Sequence, residues 1–139
     1  MDVFDRLTEE HERHDRSVTA LLDQSRDDEA FETLRKELAV HMKAEESVVL
    51  KPLSRIGELR PDVLESIEEH RLISFAVGRV KKAGDDDRWR ATVEVLAETL
   101  RHHEAEEEKD IFPEARVSLG ATESQVMLEE YDAVREAKA

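Results

Sequence analysis

Four stretches of this chain carry apolar residues at the alternating three-and-four spacing of a helix, and each stripe is broken near its middle by polar residues, histidine in every case. The inward positions read Phe4, Leu7, His11, His14, Val18 and Leu21 in the first stretch, and Phe31, Leu34, Leu38, His41, Glu45, Val48 and Pro52 in the second. The third gives Val63, Ile67, His70, Ser74 and Val77, and the fourth Trp89, Val93, Leu96, Leu100, His103, Glu107 and Ile111, its last step stretched by one. Such stripes are the seam of a four-helix bundle. A buried charge without a partner is costly, so polar groups on a seam must be paired or hold a metal. One interrupted helix would mean little. Four interrupted at mid-length make one polar layer across the bundle.

The breakers divide the chain accordingly. Helices are expected over about Val3–Gln24, Glu29–Arg55, Asp62–Ala83 and Arg88–Ile111, with a short fifth reaching towards Lys138. Asp27 or Asp28 and the run Asp85-Asp86-Asp87 are N-caps, and Pro61 suits a first turn. Gly84 suits a position after a helix end. Pro52 kinks or closes the second helix, the fourth ends near Pro113, and Gly120 closes the loop beyond. Thr122-Glu123-Ser124-Gln125 reads as a capping box. The connections are short, so the fold is read as all-α: one domain over residues 1–139, an antiparallel up-down-up-down four-helix bundle with a short C-terminal helix. Four glycines and three prolines are too few for the turns of a sandwich or barrel.

Charge and composition exclude several functions. The chain carries 21 Lys+Arg against 35 Asp+Glu, a formal net charge of −14. Phosphate neutralisation needs clustered cations, so a nucleic-acid partner is excluded, and docking to an anionic membrane is disfavoured. No cysteine occurs, which removes disulfides, Cys-ligated zinc, iron–sulfur clusters and a thiol nucleophile. No apolar run approaches the ~20 residues of a membrane span. The acidic start Met1-Asp2-Val3-Phe4-Asp5 is no signal peptide, and a cytoplasmic location is the expectation.

The polar layer is written twice. His41-Met42-Lys43-Ala44-Glu45-Glu46 returns 62 residues later as His103-Glu104-Ala105-Glu106-Glu107-Glu108, each followed by apolar residues and a proline. Glu9-Glu10-His11 returns 59 residues later as Glu68-Glu69-His70. Two helical hairpins thus share one plan, a histidine from the first helix and a His-x3-Glu pair from the second. Residues four apart differ by about 40° around a helix, so His41 with Glu45, and His103 with Glu107, can reach one centre. Glu46 and Glu108 are turned a further ~100° and fit a solvated rim better, with a place behind the ligands as the alternative for Glu46 and ligation through a distorted helix as the alternative for Glu108. Ferritin-like Glu-x-x-His and the metalloprotease His-Glu-x-x-His are both absent.

These motifs resemble the hemerythrin-like (HHE cation-binding) family over about residues 3 to 117. The resemblance rests on Leu7-Thr-Glu-Glu-His11, His41-x3-Glu45-Glu46, Glu68-Glu-His70, and His103-x3-Glu107-Glu108 followed by Phe112-Pro113. It implies a bundle holding a non-haem, oxo- or hydroxo-bridged di-iron centre that meets small oxidants. By the same resemblance His11, His41, His70 and His103 are terminal ligands, and Glu45 and Glu107 bridging carboxylates. Oxygen carriers of the family place a second histidine one turn after the third-helix histidine, where this chain has Ser74. Their second bridging acid corresponds to Glu108. The missing histidine implies an open coordination position, with His14 as a candidate substitute, although a packing role behind the ligands is the preferred reading of His14.

The remaining candidates have plainer readings. His102 is a surface residue, Trp89 a plug at the end of the bundle, and Tyr131 a packing residue of the last helix. The charge run Glu104–Lys109 is, apart from Glu107, a solvated face. A mixed nitrogen and oxygen donor set suits iron, and also manganese or zinc. Three functions fit: a binder or sensor of O2 or NO, an enzyme that scavenges peroxide or NO, and a metal-stabilised structural or storage bundle, with a mononuclear site as a further form. The expected partner is a diatomic or peroxide ligand, and the oligomeric state is open.

Overall fold

A computed structural model describes residues 1–138. The chain is all-helical, with no strand among the described residues. Helix α1 spans Val3–Asp23, α2 Asp28–Glu45, the single turn α3 Lys51–Leu53, α4 Arg60–Lys82, α5 Asp86–Glu106 and α6 Phe112–Lys138. No helix of the described residues is long and apolar enough to cross a membrane.

Acidic residues cap the helix starts, Asp27 and Asp85 as expected and Asp2 in addition. Asp2 and Asp5 form a reciprocal capping box on α1, with both bonds at 2.9 Å. The Asp27 side chain accepts from the Ala30 amide at 3.0 Å, and that of Asp85 from the Arg88 amide at 2.8 Å. Pro61 lies in the first turn of α4, where its missing amide would be unpaired anyway. Gly84 follows the C-cap Ala83 of α4, but among the described residues only Gly120 has a positive φ, so this end uses no left-handed cap.

Two apolar clusters sit on either side of the polar layer. One gathers Phe4, Leu7, Leu50, Val63, Ile111, Phe112 and Tyr131. The other gathers Leu21, Phe31, Leu38, Ile73, Trp89, Leu96 and Leu100. Helices α1, α2 and α4 each contribute residues to both clusters, and α5 with the turn that follows it does the same. Histidines lie where each helix passes between the clusters. Trp89 is buried in the second cluster, with the Arg26 guanidinium over its ring.

Two details depart from the sequence reading. The second and fourth long helices each contain a π-helical turn, Glu46–Leu50 and Glu107–Ile111, directly after or at the His-x3-Glu glutamate. Lys51 donates to the Glu46 carbonyl and Phe112 to the Glu107 carbonyl, five residues back. A π-turn accommodates one extra residue, which explains the stretched step from Glu107 to Ile111. Nor does the fourth helix end near Pro113. Pro113 lies in the first turn of α6, and the break comes at Gly120, with φ 81° and ψ 168°. There Ser124 Oγ donates to the Gly120 carbonyl at 2.9 Å.

Helix α6 is not an appendage. It packs on α1 and α2. Arg6 of α1 makes a two-pronged pair with Asp132, both bonds at 3.0 Å, and Arg116 reaches Asp2 and Asp5.

Candidate metal centre

The helices bring His11, His41, Glu45, His70, His103 and Glu107 together, each 3% exposed or less. Every ring presents Nε2 to a glutamate oxygen. Glu45 Oε1 lies 3.7 Å from His41 Nε2 and 3.0 Å from His70 Nε2. Glu107 Oε1 lies 3.3 Å from His11 Nε2 and 3.5 Å from His103 Nε2. The donor atoms fall into two overlapping groups that could each hold an ion: Glu45, His70, His103 and Glu107, and His11, His41 and Glu45.

The opposite ring nitrogen is held in all four cases by a second glutamate. Glu10 takes His41 Nδ1 at 2.8 Å, and Glu69 takes His103 Nδ1 at 2.8 Å. Glu46 takes His70 Nδ1 at 2.9 Å, and Glu108 takes His11 Nδ1 at 2.7 Å. A carboxylate can only accept, so Nδ1 carries the hydrogen and Nε2 is left to offer its lone pair. The repeat gives this its form. The glutamate before the first histidine of a hairpin holds the second histidine of the same hairpin. The glutamate after the His-x3-Glu motif holds the first histidine of the other hairpin. Glu46 and Glu108 therefore do not belong to an idle rim: each orients a ring, while Glu108 keeps one flank to solvent.

Unpartnered buried atoms test whether a metal fits. Nε2 of His11, His70 and His103, both oxygens of Glu45 and Oε1 of Glu107 are buried without a hydrogen-bond partner. Buried polar atoms are normally satisfied, and these converge on one space with the donor chemistry of a borderline divalent cation. Ser66 Oγ donates to the remaining oxygen of Glu107 at 2.9 Å.

Electrostatics follow from the crowding. Burial opposes charge on His41, and the nearby His11 adds repulsion, so this ring is held well below the usual histidine range. Burial also opposes charge on His70, but Glu45 and Glu46 outweigh it and lift the ring to about 10. His11 is raised likewise, burial being outweighed by Glu107 and Glu108. Burial and the facing Glu107 push Glu45 up to about 7. Burial works the same way on Glu107, but His103 and His11 overcome it and hold this carboxyl well below its ordinary range. Metal binding must therefore displace protons.

Other assignments change or stand. Ser74 is exposed, on the rim of a crevice with Met42, Glu46 and His70, because the buried stripe of α4 steps from His70 to Ile73. His14 is buried, in neither donor group, with Nδ1 on Glu104 Oε2 at 2.7 Å. Glu104 is only 5% exposed, which corrects its assignment to a solvated face. It lies three residues before Glu107 on the same side of α5, a spacing that marked it as inward. His102 is exposed and paired with Glu106 at 3.1 Å, as expected of a surface residue. Tyr131 packs the last helix as expected, and also donates to Glu10. Arg135 adds a 3.2 Å contact to the other Glu10 oxygen.

The family model described as Hemerythrin HHE cation binding domain matches residues 2–115. No curated protein and no solved structure matches the chain.

Proposed function

The chain belongs to the hemerythrin HHE cation-binding family, and from that premise we propose that it holds a non-haem di-iron centre and uses it on a small oxidant, O2, NO or peroxide. The observation that carries this reading is the pair of donor groups sharing Glu45, with Nε2 atoms and carboxylate oxygens buried and unpartnered between them. In this reading the helices run up-down-up-down in an antiparallel bundle. His70 and His103 would hold one ion and His11 and His41 the other, with Glu45 and Glu107 as the carboxylates available to both.

Iron bound here would supply one-electron chemistry towards a diatomic or peroxide ligand. The chain's own residues do the rest. Glu10, Glu46, Glu69 and Glu108 fix each ring and make it a better donor. Leu38 and Leu100 close one side of the layer, and Leu7 and Phe112 the other, limiting water at the centre. Ser66 holds one oxygen of Glu107 and leaves the other to the centre.

A mononuclear form has one observation in its favour, the inequality of the donor groups, four residues against three. Metal analysis after anaerobic purification, followed by exposure to O2, NO and peroxide under absorption spectroscopy, tests the reading. Two irons per chain and a spectral change with at least one oxidant support it. A metal-loaded chain inert to all three leaves a structural or storage bundle.

A further inference from the structure

The centre is built twice, and its symmetry fails at one buried pair. The offset of 59 residues that carries His11 to His70 carries His14 to Ile73, and the offset of 62 that carries His41 to His103 carries Met42 to Glu104. One flank is apolar, with Ile73 buried and Met42 packed against the same cluster. The other holds His14, 1% exposed, and Glu104, 5% exposed, in contact at 2.7 Å. Replacing an apolar contact with a buried polar pair gives up transfer free energy unless the pair has work to do. It is not needed as a ring clamp, because each of the four inward histidines already has its own glutamate.

Position supplies the work. Glu104 Oε2 lies 4.0 Å from His11 Nε2, the atom aimed into the centre. Two ligands each about 2.1 Å from one ion lie up to about 4.2 Å apart, so a shared ion is within reach of both atoms. His11 also belongs to the smaller donor group, the one with three residues. Glu104 further lines a surface groove with Glu12, Asp15 and Arg101, so it stands between solvent and that ion position.

We propose that Glu104 is a protein ligand of the metal position formed by His11 and His41, and that His14 positions its carboxylate. The assignment rests on the two-metal reading above. It makes the two ion positions chemically different, and it sets Glu104 against any exogenous anion that approaches the His11 side.

Co(II) titration of the metal-free full-length chain, followed by its visible bands, tests this. The wild-type chain is expected to show two steps. Glu104→Gln, close in size, is expected to weaken one step at least tenfold and change its bands, with the other step unmoved. His14→Ile with Glu104→Met copies the Met42/Ile73 flank, keeps a packed core, and is expected to lose the same step. Unchanged affinities and bands in a variant with wild-type helix content overturn the assignment, as does equal weakening of both steps. A single step in the wild-type chain overturns the two-metal reading instead. In that event the same comparison still decides on Glu104, because unchanged bands in Glu104→Gln remove it from the ligand set.

Discussion

Tyr131 donates its hydroxyl to the same Glu10 oxygen that accepts from His41 Nδ1. Tyr131 lies beyond the residues matched by the family model, and through this bond the last helix reaches the clamp on His41. It is fully buried, and burial together with Glu10 holds the phenol up in its neutral, donating form. Arg135 on the same helix braces Glu10 from the other side. Of the four ring clamps, the one on His41 is thus reinforced by α6.

Tyr131→Phe removes one donor and leaves the clamp. It is expected to keep the wild-type metal content and to melt lower, by about 1 kcal/mol of stability. Glu10→Ala frees His41 Nδ1 and is expected to lower metal affinity by about 10–100-fold. Competition titration with a chelator, beside a thermal melt, separates the two.

Glu45 and Glu46 are neighbours with different tasks. Glu45→Ala deletes a residue common to both donor groups and is expected to cost at least one metal per chain. Glu46→Ala unclamps His70 and is expected to keep the stoichiometry while weakening affinity by about 10–100-fold. Glu98→Ala, at an exposed position, is the silent control. Equal loss from Glu46→Ala and Glu98→Ala would remove the clamp from the account.

Much of this centre is legible in the sequence. A histidine in the middle of an apolar stripe, repeated in four helices, places the polar layer, and the two offsets place the hairpins. What escapes is what single-helix geometry cannot carry. Glu46 and Glu108 look like rim residues on an ideal helix, but their partners come from the other hairpin, and no spacing rule within one helix reports that. The π-turns leave only the stretched step to Ile111 as a trace. A four-residue step from His70 places Ser74 inward, whereas the helix takes three and buries Ile73. Tyr131 is separated from Glu10 by most of the chain, and only packing brings them together.

Glu104 makes the metal-free chain sensitive to pH. Burial raises its carboxyl from 4.5 to about 9, with His11 opposing and Glu107 adding to the rise. The unfolded chain loses this proton first, so the folded state binds more protons between those values. This contribution is fully present below 4.5 and is lost as pH rises towards about 9. At pH 7 the loss is about 3 kcal/mol. Metal-free Glu104→Gln is expected to be more stable than the wild-type chain at pH 8 and close to it at pH 5. Chemical denaturation at both values checks the sign, and a gap that narrows with rising pH would contradict it.

Gly120 adopts φ 81° and ψ 168°, a region open essentially to glycine alone, and nothing lies within 4 Å of a Cβ built there. Gly120→Ala therefore strains the backbone without a clash and is expected to cost about 1–3 kcal/mol. Because the turn sets the path of α6 towards Glu10, protease sensitivity of the C-terminal segment should rise with it. An unchanged melt and cleavage pattern would show that the turn is not a constraint.

The most direct test of the central claim is the iron content of the chain after iron-replete expression and anaerobic purification. Two donor groups sharing Glu45 predict close to two irons per folded chain. One tightly bound iron, with no occupancy of a second position on further loading, would contradict the di-iron reading.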